Sequence, residues 1–296
     1  MYYLVAYSFP IFRPLPGHEL FQDDISASPL RNFHTPTLAI LPPNPYLCLT
    51  KTIYTMAKKG QYTYEYPHPA VTADCVVFGY DGKELKVLLI KRGEEKEAST
   101  KAYVGHWALP GGFMDVERDK TIAYTAQREL KEETGLKLPI KDFKEAGAYS
   151  MIDRDPRERV ITIAQYALVK LSEVQADTDA DKADWFSWKA IPSLAFDHDK
   201  ILRDAFSKLK RDIHFEPVGF ELLPEVFTLP QLQNLYESIL EVKFDRRNFA
   251  SKMKHYEILT EVDDNSPRKG TRTPIKYRFN KENYDRLKSK GFQLEF

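Results

Sequence analysis

The sequence predicts an α/β fold: an α/β/α sandwich on a mixed sheet, followed by a smaller domain of two helices and two strands. Three observations predict it. Short apolar runs rich in Val and Ile recur between residues 71 and 188, bounded by turn residues. Two segments with helical character, about 119–134 and 198–211, lie among and after them, the first carrying a dense acidic cluster. Beyond residue 214 the pattern becomes helix, helix, strand, basic loop, strand.

Composition sets the bounds. A chain of 296 residues should form two domains, or one with appendages, and 43% hydrophobic with 13% aromatic residues suffices for real cores. The 43 basic and 43 acidic residues cancel, so partners must be sought in the charge distribution. From Asp245 to Phe296 there are 13 Lys and Arg against 8 Asp and Glu. Two cysteines, Cys48 and Cys75, argue for a reducing compartment, and Cys75 in its apolar run reads as a buried structural thiol. No stretch reaches the roughly 18 apolar residues of a membrane helix, and no basic region precedes the first apolar residues as in a secretory signal. A cytoplasmic protein with no membrane partner is expected.

The elements follow in order. Residues 1–55 are rich in Pro without a period of 2 or 3.6, and Leu41-Pro42-Pro43-Asn44-Pro45 forbids a regular element. Met56-Ala57-Lys58-Lys59-Gly60 would be an ordinary start, so 1–55 is expected to be an upstream extension with little fold, a targeting segment being the alternative. Val71–Phe78 and Leu85–Ile90 read as strands joined by a hairpin turn at Tyr80-Asp81-Gly82-Lys83. A loop leads through Trp107-Ala108 to Leu109-Pro110-Gly111-Gly112-Phe113, a tight turn whose glycines let backbone approach a ligand. The helix 119–134 comes next, with Gly135 as its terminator. Phe143–Met151, Val160–Lys170 and Trp185–Trp188 are further strands. Asp197 is expected to cap the helix from His198 to Arg211.

The sharpest chemical signal is Arg128-Glu129-Leu130-Lys131-Glu132-Glu133-Thr134-Gly135-Leu136. Glu129, Glu132 and Glu133 fall within about a 100° arc of one helix, facing one point. Such a cluster could be a solvated face with ion pairs. Yet like charges that close repel by a few tenths of a kcal/mol per pair, and a cation among them removes the penalty. Hard oxygens in that number suit Mg²⁺ or Mn²⁺.

Gly112, Arg128, Glu129, Leu130, Glu132, Glu133, Gly135 and Leu136 together resemble the Nudix box. One departure stands out: Gly112 to Arg128 spans 16 positions, two more than the pattern allows. Counting back from Arg128 puts Lys120 where the box has its first Glu, and counting forward from Gly112 puts Arg118 there. Glu117 is the nearest carboxylate and is expected to take that supporting role. The resemblance implies an α/β/α sandwich over 56–213, a divalent metal on Glu129, Glu132 and Glu133 with Arg128 beside them, and a nucleotide substrate against Gly111, Gly112 and Phe113. The loop Asp153-Arg154-Asp155-Pro156-Arg157-Glu158-Arg159 would by composition be a solvated turn. Similar loops in Nudix proteins acting on ADP-ribose-like compounds imply phosphate- or ribose-facing roles for Arg154 and Arg157. Arg92 is a further phosphate candidate, with a surface ion pair as its alternative.

In the last third, Phe215–Leu223 reads as a packed connector. Thr228-Leu229-Pro230-Gln231 starts a helix with Leu229, Leu232, Leu235, Tyr236 and Leu240 at helical spacing. Asp245 caps a second helix with Phe249, Met253 and Tyr256 inward; Ile258–Val262, the basic loop Arg268-Lys269-Gly270-Thr271-Arg272 and Ile275–Phe279 follow. That order is winged-helix, expected over 214–296. Its functional reading is double-stranded DNA, with Arg246, Arg247, Asn248 and Lys252 on the helix in a groove and Arg268, Lys269 and Arg272 on a wing against phosphates. Support or dimerisation is the alternative. The tail resembles the winged-helix domain of Nudix-linked regulators of NAD or sugar metabolism, notably in Asp245-Arg246-Arg247-Asn248-Phe249. Two functions are therefore expected to compete or coexist. One is Mg²⁺-dependent hydrolysis of the pyrophosphate in an ADP-ribose-like compound, with Glu133, Glu117 or Glu158 as general base. The other is a ligand-responsive regulator, expected as a homodimer on a palindromic site.

Overall fold

The computed structural model describes residues 64–93, 103–171, 180–216, 219–262 and 274–295. The expected extension 1–55 and the basic loop 268–272 lie outside the described residues.

The first domain is ordered β1 (Ala70–Tyr80), β2 (Leu85–Arg92), β3 (Trp107–Ala108), β4 (Gly111–Phe113), α1 (Ile122–Thr134), β5 (Lys144–Tyr149), β6 (Val160–Lys170), β7 (Ala180–Ser187) and α2 (His198–Asp212). The strands form one mixed sheet in the order β3-β2-β1-β6-β5, with β4 on β1 and β7 on β2. β1 pairs parallel with β6, placing Cys75 opposite Gln165, and antiparallel with β2 through the expected hairpin.

The period of two along each strand sends alternate residues to opposite faces. Ala73, Cys75 and Val77 of β1 join Leu88, Ile90, Ala167 and Val169 against Ala126 and Leu130 of α1. Val76, Phe78 and Tyr80 join Val87, Leu89, Tyr166 and Leu168 against Ile201, Leu202 and Phe206 of α2. Both faces of β1 are thus covered, which is why its sequence is a continuous apolar run rather than an alternation. Each fully buried Leu or Phe contributes about 1.5–3 kcal/mol to that core. Cys75 is buried as expected, its thiol directed at the Ala126 carbonyl (3.5 Å).

Three elements differ from expectation. The helix expected from Asp119 begins at Ile122, because the Asp119 carboxylate accepts from the Asp115 N–H (2.9 Å) and holds the preceding loop. β7 extends back to Ala180, since it pairs with β2 along its length. The connector after residue 215 contains a single helical turn, α3 (Gly219–Leu222).

The second domain runs through β8 (Phe227–Thr228), α4 (Leu229–Leu240), α5 (Arg246–His255), β9 (Leu259–Val262), β10 (Lys276–Phe279) and α6 (Lys281–Lys288). Its sheet, β8-β10-β9, completes the winged-helix order; β8 and α6 were not foreseen. Thr228 and Gln231 form a reciprocal capping box at α4. Asp245 accepts from the N–H groups of Arg247 and Asn248 at α5. Leu232, Leu235, Tyr236, Phe249 and Met253 are buried in the same apolar cluster that fills the α2 face of the large sheet. One core therefore serves both domains on that side.

Candidate functional site

The site is built where α1 crosses β4. Gly135 ends α1 in a left-handed conformation (φ 71°), returning its N–H to the Lys131 carbonyl at 2.9 Å. The glycine turn lies along β1, with Ala73 opposite Gly112 and Asp74 opposite Gly111. A β-carbon on Gly112 would sit 2.5 Å from the Glu129 carboxylate, and one on Gly111 would run into the Ala73 carbonyl. Only glycine allows strand and helix to approach this closely.

Arg128 organises the acidic side chains. Its guanidinium makes five hydrogen bonds: two to Asp119 (3.2 and 2.8 Å), one each to Glu129 (2.6 Å) and Glu132 (3.2 Å), and one to the Phe113 carbonyl (2.9 Å). Its positive charge is reinforced, chiefly by Asp119, and in turn holds the Asp119 carboxyl below the usual carboxylate range. Asp119 thus occupies the supporting position expected of Glu117. Glu117 is exposed, its N–H spent on Asp115. The two extra loop residues explain the exchange, since they carry the chain past Glu117 before it meets Arg128.

Glu133 lies deeper. It accepts from the Gly111 N–H (2.8 Å), and burial pushes its pKa well above the usual range, with Glu129 and Asp74 adding to the rise and Gly111 and Arg92 opposing it. Burial also raises Glu129, against the pull of Arg128. Glu132 is nearly half exposed. The trio therefore does not converge on one point as helical spacing suggested. Among the described residues, no group of three or more Asp, Glu, His and Cys side chains is arranged to hold a metal ion. The physical reason is mutual repulsion: Glu129 and Glu132 turn to Arg128, and Glu133 turns to a backbone N–H. The donor chemistry still fits a divalent cation, because Glu129 and Glu133 are two half-buried carboxylates whose charged form desolvation disfavours and a cation would stabilise.

The loop between β5 and β6 is not the solvated turn its composition suggested. Arg154 is buried and bonded to Asp74 (3.1 Å) and to both oxygens of Asp197 (3.1 and 2.8 Å). The guanidinium ties β1 to the start of α2. Asp197 occupies the N-cap position of α2 but makes no side-chain cap, because both oxygens serve Arg154. His198 accepts the Leu109 N–H at Nδ1 (2.9 Å), and burial lowers its pKa. The neutral ring so carries its proton on Nε2, which faces Asp74 Oδ1 at 3.7 Å. Asp74, Arg154, Asp197 and His198 thus fix the entry to the glycine turn, a role that no sequence motif announced.

Arg157 lies between Asp155 and two aromatic rings. Asp155 grips it from both carboxylate oxygens, and its guanidinium lies 5.4 Å from the Phe113 ring and 5.6 Å from the Phe196 ring. Arg92 stacks on the other ring partner, 5.0 Å from Phe196, and its charge reaches Glu133. Phe113 is 40% exposed. Glu158 is exposed on its loop. On α5, Arg246, Arg247 and Asn248 are all exposed. Lys252, also exposed, donates to the Glu295 carbonyl (3.1 Å), which binds it to the chain's own tail. Arg268, Lys269 and Arg272 are outside the described residues.

Residues 68–205 match the NUDIX domain family, and residues 219–279 match the NrtR DNA-binding winged helix domain. The chain is 32% identical over 224 residues to the ADPR responsive transcriptional repressor NtrR of Acinetobacter baylyi, spanning 75% of this chain and 86% of that protein. It is 42% identical over 139 residues to an ADP-ribose pyrophosphatase of Methanocaldococcus jannaschii, spanning 47% of this chain and 74% of that one. The crystal structure of Shewanella oneidensis NrtR complexed with a 27mer DNA superposes with a TM-score of 0.57 at 25% identity, covering 76% of this chain and 97% of that one.

Proposed function

The chain belongs to the Nudix family, in the branch that joins a Nudix domain to an NrtR-type winged helix, and from that premise we propose a nucleotide-responsive DNA-binding protein whose Nudix site retains hydrolytic chemistry. The ligand is a nucleoside diphosphate linked to a second moiety, of the ADP-ribose type. One observation carries the hydrolytic reading: Glu129 and Glu133, both with raised pKa, flank a glycine turn with no room for a side chain.

Glu129, Glu132 and Glu133 would hold Mg²⁺ or Mn²⁺, and such an ion, when bound, neutralises a pyrophosphate and acidifies water. The chain's own groups do the rest. Arg128 pins two of the carboxylates and the Phe113 carbonyl, keeping helix and turn in register. Arg92 and Arg157 offer guanidinium groups to phosphate oxygens. Glu133, whose pKa burial raises and one of whose oxygens accepts from the Gly111 N–H, is the carboxylate best suited to take a proton from an attacking water. For ADP-ribose the products are AMP and ribose 5-phosphate. Magnesium-dependent AMP release tests this: Glu133→Gln should lose at least ~10²-fold in rate, and wild-type turnover in that variant removes the hydrolytic reading.

The regulatory half rests on a different observation, the exposed Arg246-Arg247-Asn248 edge at the capped start of α5. Such an edge suits contact with double-stranded DNA, and two copies of the chain would match a palindromic site. A mobility-shift assay on upstream DNA, with and without ADP-ribose, is the test. No shift at low salt on any upstream sequence overturns it, because nonspecific phosphate contacts alone would appear there.

A further inference from the structure

Four non-glycine residues among those described have a positive φ: Tyr103 (62°), Phe196 (56°), Glu241 (57°) and Glu257 (55°). Glu241 closes α4, and Glu257 follows the end of α5, where left-handed backbone is the ordinary way to stop a helix. Tyr103 and Phe196 end no helix among the described residues. An aromatic residue at positive φ is a strained conformation that persists only where its surroundings enforce it, and such strain gathers at ligand sites. Here the two strained residues are 93 positions apart in sequence, yet their rings meet at 4.7 Å.

The enforcement is visible. Ala195 donates its N–H to the Trp107 carbonyl (2.8 Å), and the Asp197 carboxylate is held by Arg154, so the chain is clamped on both sides of Phe196. The clamp leaves the ring half-buried, and cationic and flat groups surround it. Arg92 lies at 5.0 Å, Arg157 at 5.6 Å and the His198 ring at 5.2 Å. Beyond Arg157 stands the exposed ring of Phe113, 5.4 Å from the same guanidinium. The flat guanidinium of Arg157 therefore contacts two aromatic rings while Asp155 grips its edge. Arg92 connects this place to the acidic helix, since its charge acts on Glu133.

We propose that Phe196, backed by Tyr103, is the platform on which the heteroaromatic base of the nucleotide stacks, and so is the residue that makes the site select base-bearing ligands. This rests on the nucleotide reading given above. Base, Arg92 and α1 then follow one another in the order base, phosphate, acidic helix. A flat, polarisable base matches a ring face flanked by guanidinium groups, whereas a sugar phosphate offers nothing to stack.

Equilibrium titration of the full chain with ADP-ribose and, separately, with ribose 5-phosphate tests the platform. Phe196→Ala should weaken ADP-ribose binding roughly 10- to 100-fold, the range of base–aromatic stacking, and leave ribose 5-phosphate unchanged. Phe196→Trp should stay within about threefold of wild type for both ligands, because it restores a stacking face. Phe196→Gly separates recognition from folding: glycine accepts φ 56° freely, so its thermal midpoint should match or exceed that of Phe196→Ala while its ADP-ribose affinity falls as far. Equal losses for both ligands, or Phe196→Ala binding ADP-ribose as wild type does, overturn the platform and leave the nucleotide reading standing. Wild-type protein that binds neither ADP-ribose nor another nucleoside diphosphate sugar overturns both.

Discussion

Replacing Arg154 by Met decides between its two possible roles. The side chain is 4% exposed, and its carboxylate partners Asp74 and Asp197 are 9% and 19% exposed. Removing one member of a buried ion pair costs about 3–5 kcal/mol, because the remaining charge is left uncompensated. Asp197 is open enough to regain some water, so the lower end applies, about 3 kcal/mol. For a protein of this size each kcal/mol moves the thermal midpoint by about 2–4 °C, giving a fall of roughly 6–12 °C. Scanning calorimetry of wild type, Arg154→Met, Asp74→Asn and the double variant measures it. The double variant should recover part of the loss, since a neutral amide replaces the stranded carboxylate. A midpoint within about 2 °C of wild type in Arg154→Met, accompanied by weakened ADP-ribose binding, would refute the structural role and restore the phosphate contact.

Four other outcomes are expected. Asp119→Asn should cost about 1–2 kcal/mol by denaturant titration, the usual worth of charged hydrogen bonds, while Glu117→Gln changes nothing. Because Arg128 depresses the Asp119 pKa in the folded state, its contribution is present above the unfolded value near 3.9 and lost as pH falls through the lower folded value. Glu133 has the opposite sign: its folded pKa is raised, so metal-free protein should lose stability as pH climbs from about 4.3 through that higher value. Midpoints measured across pH should show this slope in wild type and a smaller one in Glu133→Gln, where Glu129 alone remains raised, and Mg²⁺ at pH 8 should raise the midpoint of wild type more than that of the variant. Thr228→Ala should cost about 1 kcal/mol through its capping box, read by urea unfolding. Arg247→Ala should lower the slope of log affinity for DNA against log salt by about one, in fluorescence anisotropy.

The parts of the molecule that were legible in the sequence are those where a local rule has one outcome. Glycine after α1, Thr228 before α4 and Asp245 before α5 each act on backbone N–H or C=O groups within three or four residues, and all three caps formed where spacing placed them. The strands expected at 71–78 and 160–170 formed within β1 and β6 for the same reason, as local apolar runs bounded by turn residues. The site was harder. Helical spacing set three carboxylates on one arc, but their destinations depended on which donors stood nearby. Arg128 and the Gly111 N–H claimed them. The partners of Asp119 and Arg154 were not read from the sequence: they are Arg128, nine residues away, and Asp74 and Asp197, 80 and 43 residues away. No short window along the chain contains the Arg154 meetings. Phe196 gave no signal at all, since a left-handed aromatic residue is visible only once the backbone is in place.

The two apolar clusters bear on how the Nudix and winged-helix domains are joined. The cluster on the α1 face is small and closes beneath the acidic helix. That on the α2 face runs on without a break through Leu222, Leu223 and α4 to Phe249 and Met253 of α5. α2 reaches both the site and that core, since its first turn holds Asp197 and His198 against the glycine turn, and its buried side also packs into the shared core. A helix of 15 residues is about 22 Å long and stiff over that length. α2 is thus one route between the acidic site and the winged-helix domain, beside the packing of α4 on β2 and the bonds of Glu241 to Trp188 and Lys210.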